Sequence, residues 1–194
     1  MPPKSKVTKE MVVDAAFEIV REAGADAVSA RAVAKRLNCS TQPVLYHFAT
    51  MEELKRAVYA RADHFHTEYL MNGSGGAKPR EDPLLEIGLN YIRFAVKEPR
   101  LFRFLFQSGY VQQTELWEML DSEELAPVLS AMREGMGMDM EKTKEVFLTV
   151  AMFVHGYAGI IAGNALKFDE DLAAVRLERA FRGAVLAVCQ EEEK

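Results

Sequence analysis

Apolar residues recur at helical spacing along nearly the whole chain, and no segment shows the alternation of period two that is typical of strands. In the first periodic segment, Thr8 is a good helix N-cap and Gly24 is a common helix stop. The residues between them form one apolar stripe: Val12, Ala16, Ile19, Val20 and Ala23. The sequence therefore predicts an all-α protein.

Capping residues divide the following segments into further helices. Ser29 and Ser40 each precede a short helix, and Pro43 is tolerated because it lies in a first turn. Thr50 and Glu53 have capping-box spacing and predict a long helix that starts there. The long helix is predicted over 51–71, and a linker rich in Gly, Ser and Pro follows it. After the linker, helices are predicted over 83–97, 101–106, 122–134, 141–166 and 169–190.

Charge is distributed unevenly along the chain. The net charge is −5, yet residues 1–61 carry 10 Lys and Arg against 7 Asp and Glu, whereas residues 62–194 carry 14 against 22. A basic end on an acidic body suits a protein that presents only that end to a polyanion such as nucleic acid.

Composition also indicates the cellular compartment in which the protein is expected. No run of about 18 apolar residues is present, and the first residues lack the apolar core of a signal peptide. Cys39 and Cys189 are too few for a disulfide framework. We therefore expect a cytoplasmic protein without a membrane partner, in which both cysteines are reduced.

The polar segment from Asn38 to Phe48 lies between two apolar helical segments. A tight connection near Asn38 joins the two short helices, as in a helix-turn-helix, whose second helix enters the major groove of DNA. Ser40, Thr41 and Gln42 supply hydrogen-bonding groups near the start of that helix. On polarity alone, a surface helix without a partner remains an equally good interpretation.

The sequence VSARAVAKRLNCSTQPVLYHFATMEELKRAV, residues 28–58, resembles the DNA-binding domain of the TetR/AcrR family of transcriptional regulators. The resemblance covers residues 8 to about 65, and the remainder of the chain resembles the family only in the number and length of helices. The matching residues are Ser29, Arg31, Ala34, Ser40, Tyr46, His47, Phe48, Glu53 and Leu54. The departures are Asn38, Cys39, Leu45 and Met51, where the family usually has Gly, Val, Tyr and a phosphate-binding Lys; Lys55 lies one turn beyond Met51.

The resemblance implies a helix-turn-helix domain over residues 1–50. A ligand-sensing and dimerising helical domain is implied over 51–194, with 51–71 as the connecting helix. Thr41 and Gln42 are candidates for reading bases, while Val44, Leu45 and Phe48 are expected to pack inward. The remaining candidates for contact with a double-stranded DNA operator are Ser29, Arg31, Ser40, Pro43, Tyr46, His47 and Lys55.

The body is rich in aromatic residues and methionine, which suits an adaptable apolar cavity, although an ordinary core has the same composition. Under the resemblance, a small apolar or amphipathic effector would bind among Phe102, Phe106, Tyr110, Trp117, Phe147 and His155. A homodimer interface is expected on the last two helices, which carry small and apolar residues at helical spacing, including Gly159, Gly163, Leu177, Phe181, Ala184 and Val188. The alternative is that these residues fill the subunit core.

An enzyme is not indicated. His64 and His66 are two residues apart, do not form a metal-ligand pair on a helix, and are expected at the solvent or at a domain contact. His155 lies in an apolar stretch, which favours a core histidine over a general base. We expect no catalytic residue, metal site or cofactor. A helical adaptor that binds protein through residues 41–47 remains the second functional hypothesis.

Overall fold

A computed structural model of the protein describes residues 7–73, 82–110, 120–121, 125–163 and 166–190. These residues contain α-helices, a short 3₁₀ turn and no strand, so the all-α prediction is confirmed. The α-helices within these ranges are α1 Lys9–Ala23, α2 Ala30–Arg36, α3 Thr41–His47, α4 Met51–Asn72, α5 Pro83–Lys97, α6 Pro99–Phe106, α7 Ala126–Met136, α8 Met140–Ala162 and α9 Glu170–Gln190.

Most helix starts agree with the capping signals. The Thr8 side chain accepts a hydrogen bond from the Met11 N–H, and α1 stops at Gly24, whose φ of 90° disfavours other residues. Helix α8 ends at Ala162, earlier than the predicted residue 166, and the Gly163 N–H closes its last turn on the Gly159 carbonyl. Ser122, the predicted cap of α7, lies outside the described residues, and α7 begins at Ala126.

Contacts divide the chain into two compact units. Unit 1 comprises Met1–Glu68 and Glu98–Val111, and thus contains α1 to α3, most of α4, and α6. Unit 2 comprises Tyr69–Lys97 and Gln112–Lys194, with α5 and α7 to α9. The predicted functional boundary at residue 50 remains a prediction.

The core of unit 1 is formed by the inward stripes of its short helices. Fully buried side chains come from each of α1 to α4, namely Val12, Val20, Val33, Val44, Leu54 and Val58. Ala23 is exposed, so the predicted stripe of α1 ends one turn earlier. Helix α6 packs on α1, and Arg21 of α1 donates to both oxygens of the Glu98 carboxylate, at the residue that caps α6.

The core of unit 2 forms where α5 and α9 pack against α8. It includes Leu89, Ile92, Val154, Tyr157 and Leu177. An 18-residue window of α8 has a mean hydropathy of 1.6, enough for a membrane span by length and composition alone. Its packing against α5 and α9 is that of a core helix in a globular unit, so it gives no reason to infer a membrane span.

Candidate nucleic-acid interface

Helix α3 packs against α1 and α2 with one side. Val44 is fully buried and Phe48, directly after the helix, is only 4% exposed. Ser40 occupies the N-cap position, but its side chain makes no capping hydrogen bond. Because Val44 and Phe48 are four residues apart, they fill the inward stripe of this seven-residue helix and determine which side remains at the surface.

Four residues form the exposed side of the helix, here called the α3 outer face: Thr41, Gln42, Leu45 and Tyr46. Tyr46 is 81% exposed and Leu45 is 50% exposed. The prediction that Leu45 packs inward is wrong, because Val44 and Phe48 already occupy that side. Thr41 and Gln42, the candidates for reading bases, lie on the outer face as that role requires.

His47 lies beside the outer face and is partly buried. Its Nε2 is 2.9 Å from the Val7 carbonyl oxygen, to which it donates a hydrogen bond. The ring also contacts Tyr46 edge to face, with centroids 5.2 Å apart. His47 therefore fixes the chain just before α1, a local role that the sequence did not predict.

Helix α2 adds positive charge. Ser29 caps it by accepting a hydrogen bond from the Ala32 N–H, as predicted, and Arg31 is exposed two residues later. Lys35 is also exposed and lies one turn beyond Arg31. Residues four positions apart share one face of a helix, so this spacing is the sequence signal that could have added Lys35 to the predicted DNA contacts. No carboxylate of the described ranges forms an ion pair with either residue, whereas Arg36 is held by Glu22 at 2.7 and 2.8 Å.

The first turn of α4 completes this surface. Thr50 and Glu53 form the predicted capping box, in which the Glu53 N–H donates to Thr50 Oγ1 at 3.1 Å and the Thr50 N–H donates to Glu53 Oε2 at 3.4 Å. Lys55, in the next turn, is partly exposed, and so is Pro43 in α3.

The residues predicted to hold an effector fall into both units. Phe102, Phe106 and Tyr110 belong to unit 1, where Phe102 is fully buried and its ring lies 4.9 Å from that of Phe106. Phe147 and His155 belong to unit 2, and Trp117 lies outside the described residues.

His155 is exposed, not buried in a core as its apolar neighbourhood suggested. Its Nδ1 shares a hydrogen bond of 2.8 Å with the hydroxyl of Tyr91 on α5. Burial raises the pKa of Tyr91 well above its usual value, so this hydroxyl is protonated at neutral pH. The pair presents a polar group on α8 within unit 2.

The residues predicted to form a dimer interface have different environments. Leu177 is 2% exposed and packs beside Gly88 of α5, which leaves its side chain almost no surface for a partner, and its place in an interface remains a prediction. Ala184 is also buried, at 6% exposure. Gly163 is exposed, and Gly159, Phe181 and Val188 are partly exposed.

A groove of about 490 Å³ runs between α8 and α9 in unit 2. Its walls include residues of both helices: Glu145, Thr149, Phe153, Arg179, Ala180, Gly183, Ala184, Ala187 and Val188. Large apolar side chains are exposed on the same two helices, namely Met152, Ile160, Leu172, Val175 and Leu186.

The geometry of α1 to α3 defines a helix-turn-helix DNA-binding protein. A buried inward stripe holds α3, its outer face is exposed, and the exposed basic side chains of Arg31 and Lys35 flank it on α2. Residues 12–58 match the family of bacterial regulatory proteins of the tetR family, and residues 84–183 match the tetracyclin repressor-like C-terminal domain. The chain belongs to the TetR family of transcriptional regulators, whose members are not enzymes, and the resemblance seen in the sequence is confirmed.

Individual relatives agree with this assignment. The HTH-type transcriptional regulator YobS of Bacillus subtilis is 25% identical over 173 residues, which cover 89% of this chain and 88% of the relative. A TetR-family regulator from a Rhodococcus species has the same fold, with a TM-score of 0.59, 17% identity and coverage of 91% of this chain and 98% of the other. The multidrug binding protein EbrR, solved with ethidium, has a TM-score of 0.54, 19% identity and coverage of 93% and 99%.

Proposed function

We propose that this protein is a cytoplasmic, homodimeric repressor that binds a palindromic operator through its two α3 outer faces and is released by a small apolar or amphipathic molecule. The observation that carries the proposal is the α3 outer face itself. Thr41 and Gln42 are exposed on it, while burial of Val44 and Phe48 holds the helix in a fixed orientation.

The surrounding charges support a DNA partner. Arg31 and Lys35 of α2 project from the unit that carries α3, and Lys55 lies near the start of α4. Lysine and arginine in such positions contact phosphates and set the position of the recognition helix, while short polar side chains on that helix read base edges. A protein-binding adaptor would not need this division between polar and basic residues.

Selection of bound sequences from a random DNA pool tests the proposal directly. A palindrome is expected, because a two-fold dimer places both recognition helices on half-sites about 34 to 36 Å apart. Gln42→Ala should relax the preference at one position and cost about 1 to 3 kcal/mol, whereas Lys55→Ala should weaken all sequences alike and lower the salt slope by about one. Failure to select DNA at low salt would contradict the proposal.

Salt dependence separates the repressor from the adaptor. Binding that releases counterions from DNA weakens steeply as salt increases. The affinity of a polar protein interface without a net charge contrast should change little over the same range of salt concentration. Binding of a protein partner through residues 41–47, with no salt-dependent DNA binding, would favour the adaptor.

The groove between α8 and α9 supports the dimer. Two such grooves facing each other would bury the exposed Met152, Ile160 and Leu186 in a four-helix bundle. Phe181→Arg should convert the dimer into a monomer in analytical sedimentation, because it introduces a charge beside this groove. Leu172→Arg, at a second exposed apolar position on α9, is a parallel test, and a monomeric parent protein would rule out the dimer.

The effector part of the proposal rests on the contacts of α6. The Tyr59 hydroxyl of α4 donates to the Leu105 carbonyl of α6 at 3.1 Å, so a molecule that displaces Phe102 or Phe106 would also move α4. EbrR, which shares the fold, was solved with ethidium, an aromatic cation, which makes ethidium a rational first probe. By linkage, an effector that weakens DNA binding must bind the DNA-free protein more tightly by the same factor.

Calorimetry with free and operator-bound protein tests this linkage. Phe106→Ala should reduce the effect of the probe on operator affinity while the operator affinity without probe stays nearly the same. His155→Ala and Tyr110→Ala test whether the other predicted positions take part. Equal affinity of the probe for free and DNA-bound protein would exclude ethidium as a releasing effector.

A further inference from the structure

Leu45 is an apolar side chain in the middle of an otherwise polar surface. Helical residues are about 100° apart, so from Thr41 at 0° Leu45 projects at about 40°, Gln42 at about 100° and Tyr46 at about 140°. All four residues are exposed, and Leu45 retains 50% of its surface. Leu45 therefore lies between the two residues that the proposed function assigns to base recognition.

The packing of unit 1 does not require a leucine here. Val44, at 0% exposure, and Phe48, at 4%, fill the inward stripe of α3. Leu45 points away from that stripe, and alanine at the same position would leave the stripe unchanged. An exposed leucine in the centre of a recognition surface is explained if its partner is outside the protein.

The chemistry of the major groove of DNA indicates which group Leu45 can contact there. Each base pair presents hydrogen-bond donors and acceptors there, and the only apolar group on any base edge is the C5-methyl of thymine. A glutamine pairs best with the N6 and N7 positions of adenine. Gln42 and Leu45, adjacent on the outer face, are therefore suited to neighbouring positions rich in A·T pairs.

We propose that Leu45 is a specificity-determining residue that packs its isobutyl group on the C5-methyl of one thymine in each operator half-site. This inference rests on the proposed function, because it requires that α3 enter the major groove. The basic residues on α2, Arg31 and Lys35, supply the charge complementarity with DNA that such a contact needs.

Replacing thymine by uracil removes only the methyl group and tests the contact. After selection of the operator, each thymine is replaced in turn by deoxyuridine, symmetrically in both half-sites, and the dissociation constant is measured. Burial of one methyl group corresponds to about a fourfold change in affinity, so one symmetric replacement should weaken the parent protein about fifteenfold. The other thymines should respond little.

The variant Leu45→Ala completes a double-mutant cycle. It should bind the natural operator about as weakly as the parent binds the sensitive uracil operator, and uracil at that position should weaken it no further. Met11→Ala removes another exposed apolar side chain, 38% exposed on α1, and should keep the full response to uracil. Circular dichroism establishes that both variants are folded.

The outcomes separate the two proposals. If the protein selects a palindrome and no thymine responds to uracil, or if the response persists in Leu45→Ala, the contact of Leu45 is overturned while the proposed function stands. If the protein selects no DNA, both are overturned. The contact is established if one thymine in each half-site responds to uracil in the parent protein and in Met11→Ala, and if this response is absent in Leu45→Ala.

Discussion

The hydroxyl of Tyr110 donates a hydrogen bond of 3.0 Å to the carboxylate of Glu52, which joins the segment after α6 to the first turn of α4. Burial and the neighbouring Glu52 carboxylate raise the pKa of Tyr110 to about 12, so the hydroxyl keeps its proton at neutral pH. Tyr110, which the sequence suggested as an effector contact, therefore also links α4 to the segment that follows α6 within unit 1.

Removal of this hydroxyl should destabilise unit 1. We expect Tyr110→Phe to lower the free energy of unfolding by about 1 kcal/mol, the usual contribution of one hydrogen bond. Tyr46→Phe removes a hydroxyl from a tyrosine that is 81% exposed and should change stability by less than about 0.5 kcal/mol. Urea denaturation measures both values, and equal losses would mean that the Glu52 contact contributes nothing.

Asn38 is the one non-glycine residue with positive φ in the described chain, at 52°, and it forms the turn between α2 and α3. The TetR-like pattern usually has Gly here, and asparagine is among the few other residues that adopt this conformation readily. Asn38→Gly should leave stability nearly unchanged, whereas Asn38→Val should lower it by about 1 to 2 kcal/mol because its branched side chain clashes with the backbone. Thermal unfolding compares the two, and a Val variant as stable as the Gly variant would contradict the assigned strain.

Helix positions followed from the sequence because their signals are local. A cap such as Thr8, or the box formed by Thr50 and Glu53, involves residues only three apart, so its spacing is visible before the fold is known. Polarity alone did not decide whether α3 is a DNA-recognition helix or a surface helix without a partner. The family match of residues 12–58 favours the recognition helix.

The errors concern the direction in which apolar side chains point. Leu45 and Val44 are neighbours of similar character, and only packing against α1 and α2 decides that Val44 is inside and Leu45 outside. Leu177 packs beside Gly88, about ninety positions away on α5, and no local spacing could have shown that contact. Long-range packing is the information that a single sequence does not display.

A buried arginine should prove important for the stability of unit 2. Arg93 of α5 contacts Glu86 and Glu170 at 2.5 Å each and Asn90 at 2.8 Å, and its side chain is only 7% exposed. Arg93→Met should lower the free energy of unfolding by about 3 to 5 kcal/mol, because it removes the positive charge that lies beside the largely buried carboxylate of Glu86. Chemical denaturation measures this loss.

Arg182 provides the matched control for Arg93. It also pairs with a glutamate at 2.5 Å, but its side chain is 74% exposed. Arg182→Met should cost less than about 1 kcal/mol, because water screens an exposed ion pair. Similar losses in the two methionine variants would show that burial of the Arg93 cluster has no special effect.

His66 should make the protein sensitive to mild acid. It is 7% exposed, its ring lies 5.2 Å from that of Phe106, and burial lowers its pKa from 6.5 to about 4. Of the two positions expected for His66, the solvent or a domain contact, the solvent is wrong, because helix periodicity places its side chain on the side of α4 that packs within unit 1. Between these two pKa values the unfolded chain binds a proton at this site and the folded chain does not.

The sign of the pH effect follows from that difference. The contribution of neutral His66 is fully present above pH 6.5 and is lost as the pH falls toward 4, with a change of about 2 kcal/mol between pH 7.5 and pH 5. His66→Leu should abolish this part of the pH dependence, as measured by urea denaturation at both pH values. His64→Gln, at a histidine side chain that is 70% exposed, should retain it. If His66→Leu and the parent protein lost the same free energy on acidification, another group would have to cause the loss, since leucine cannot bind the proton.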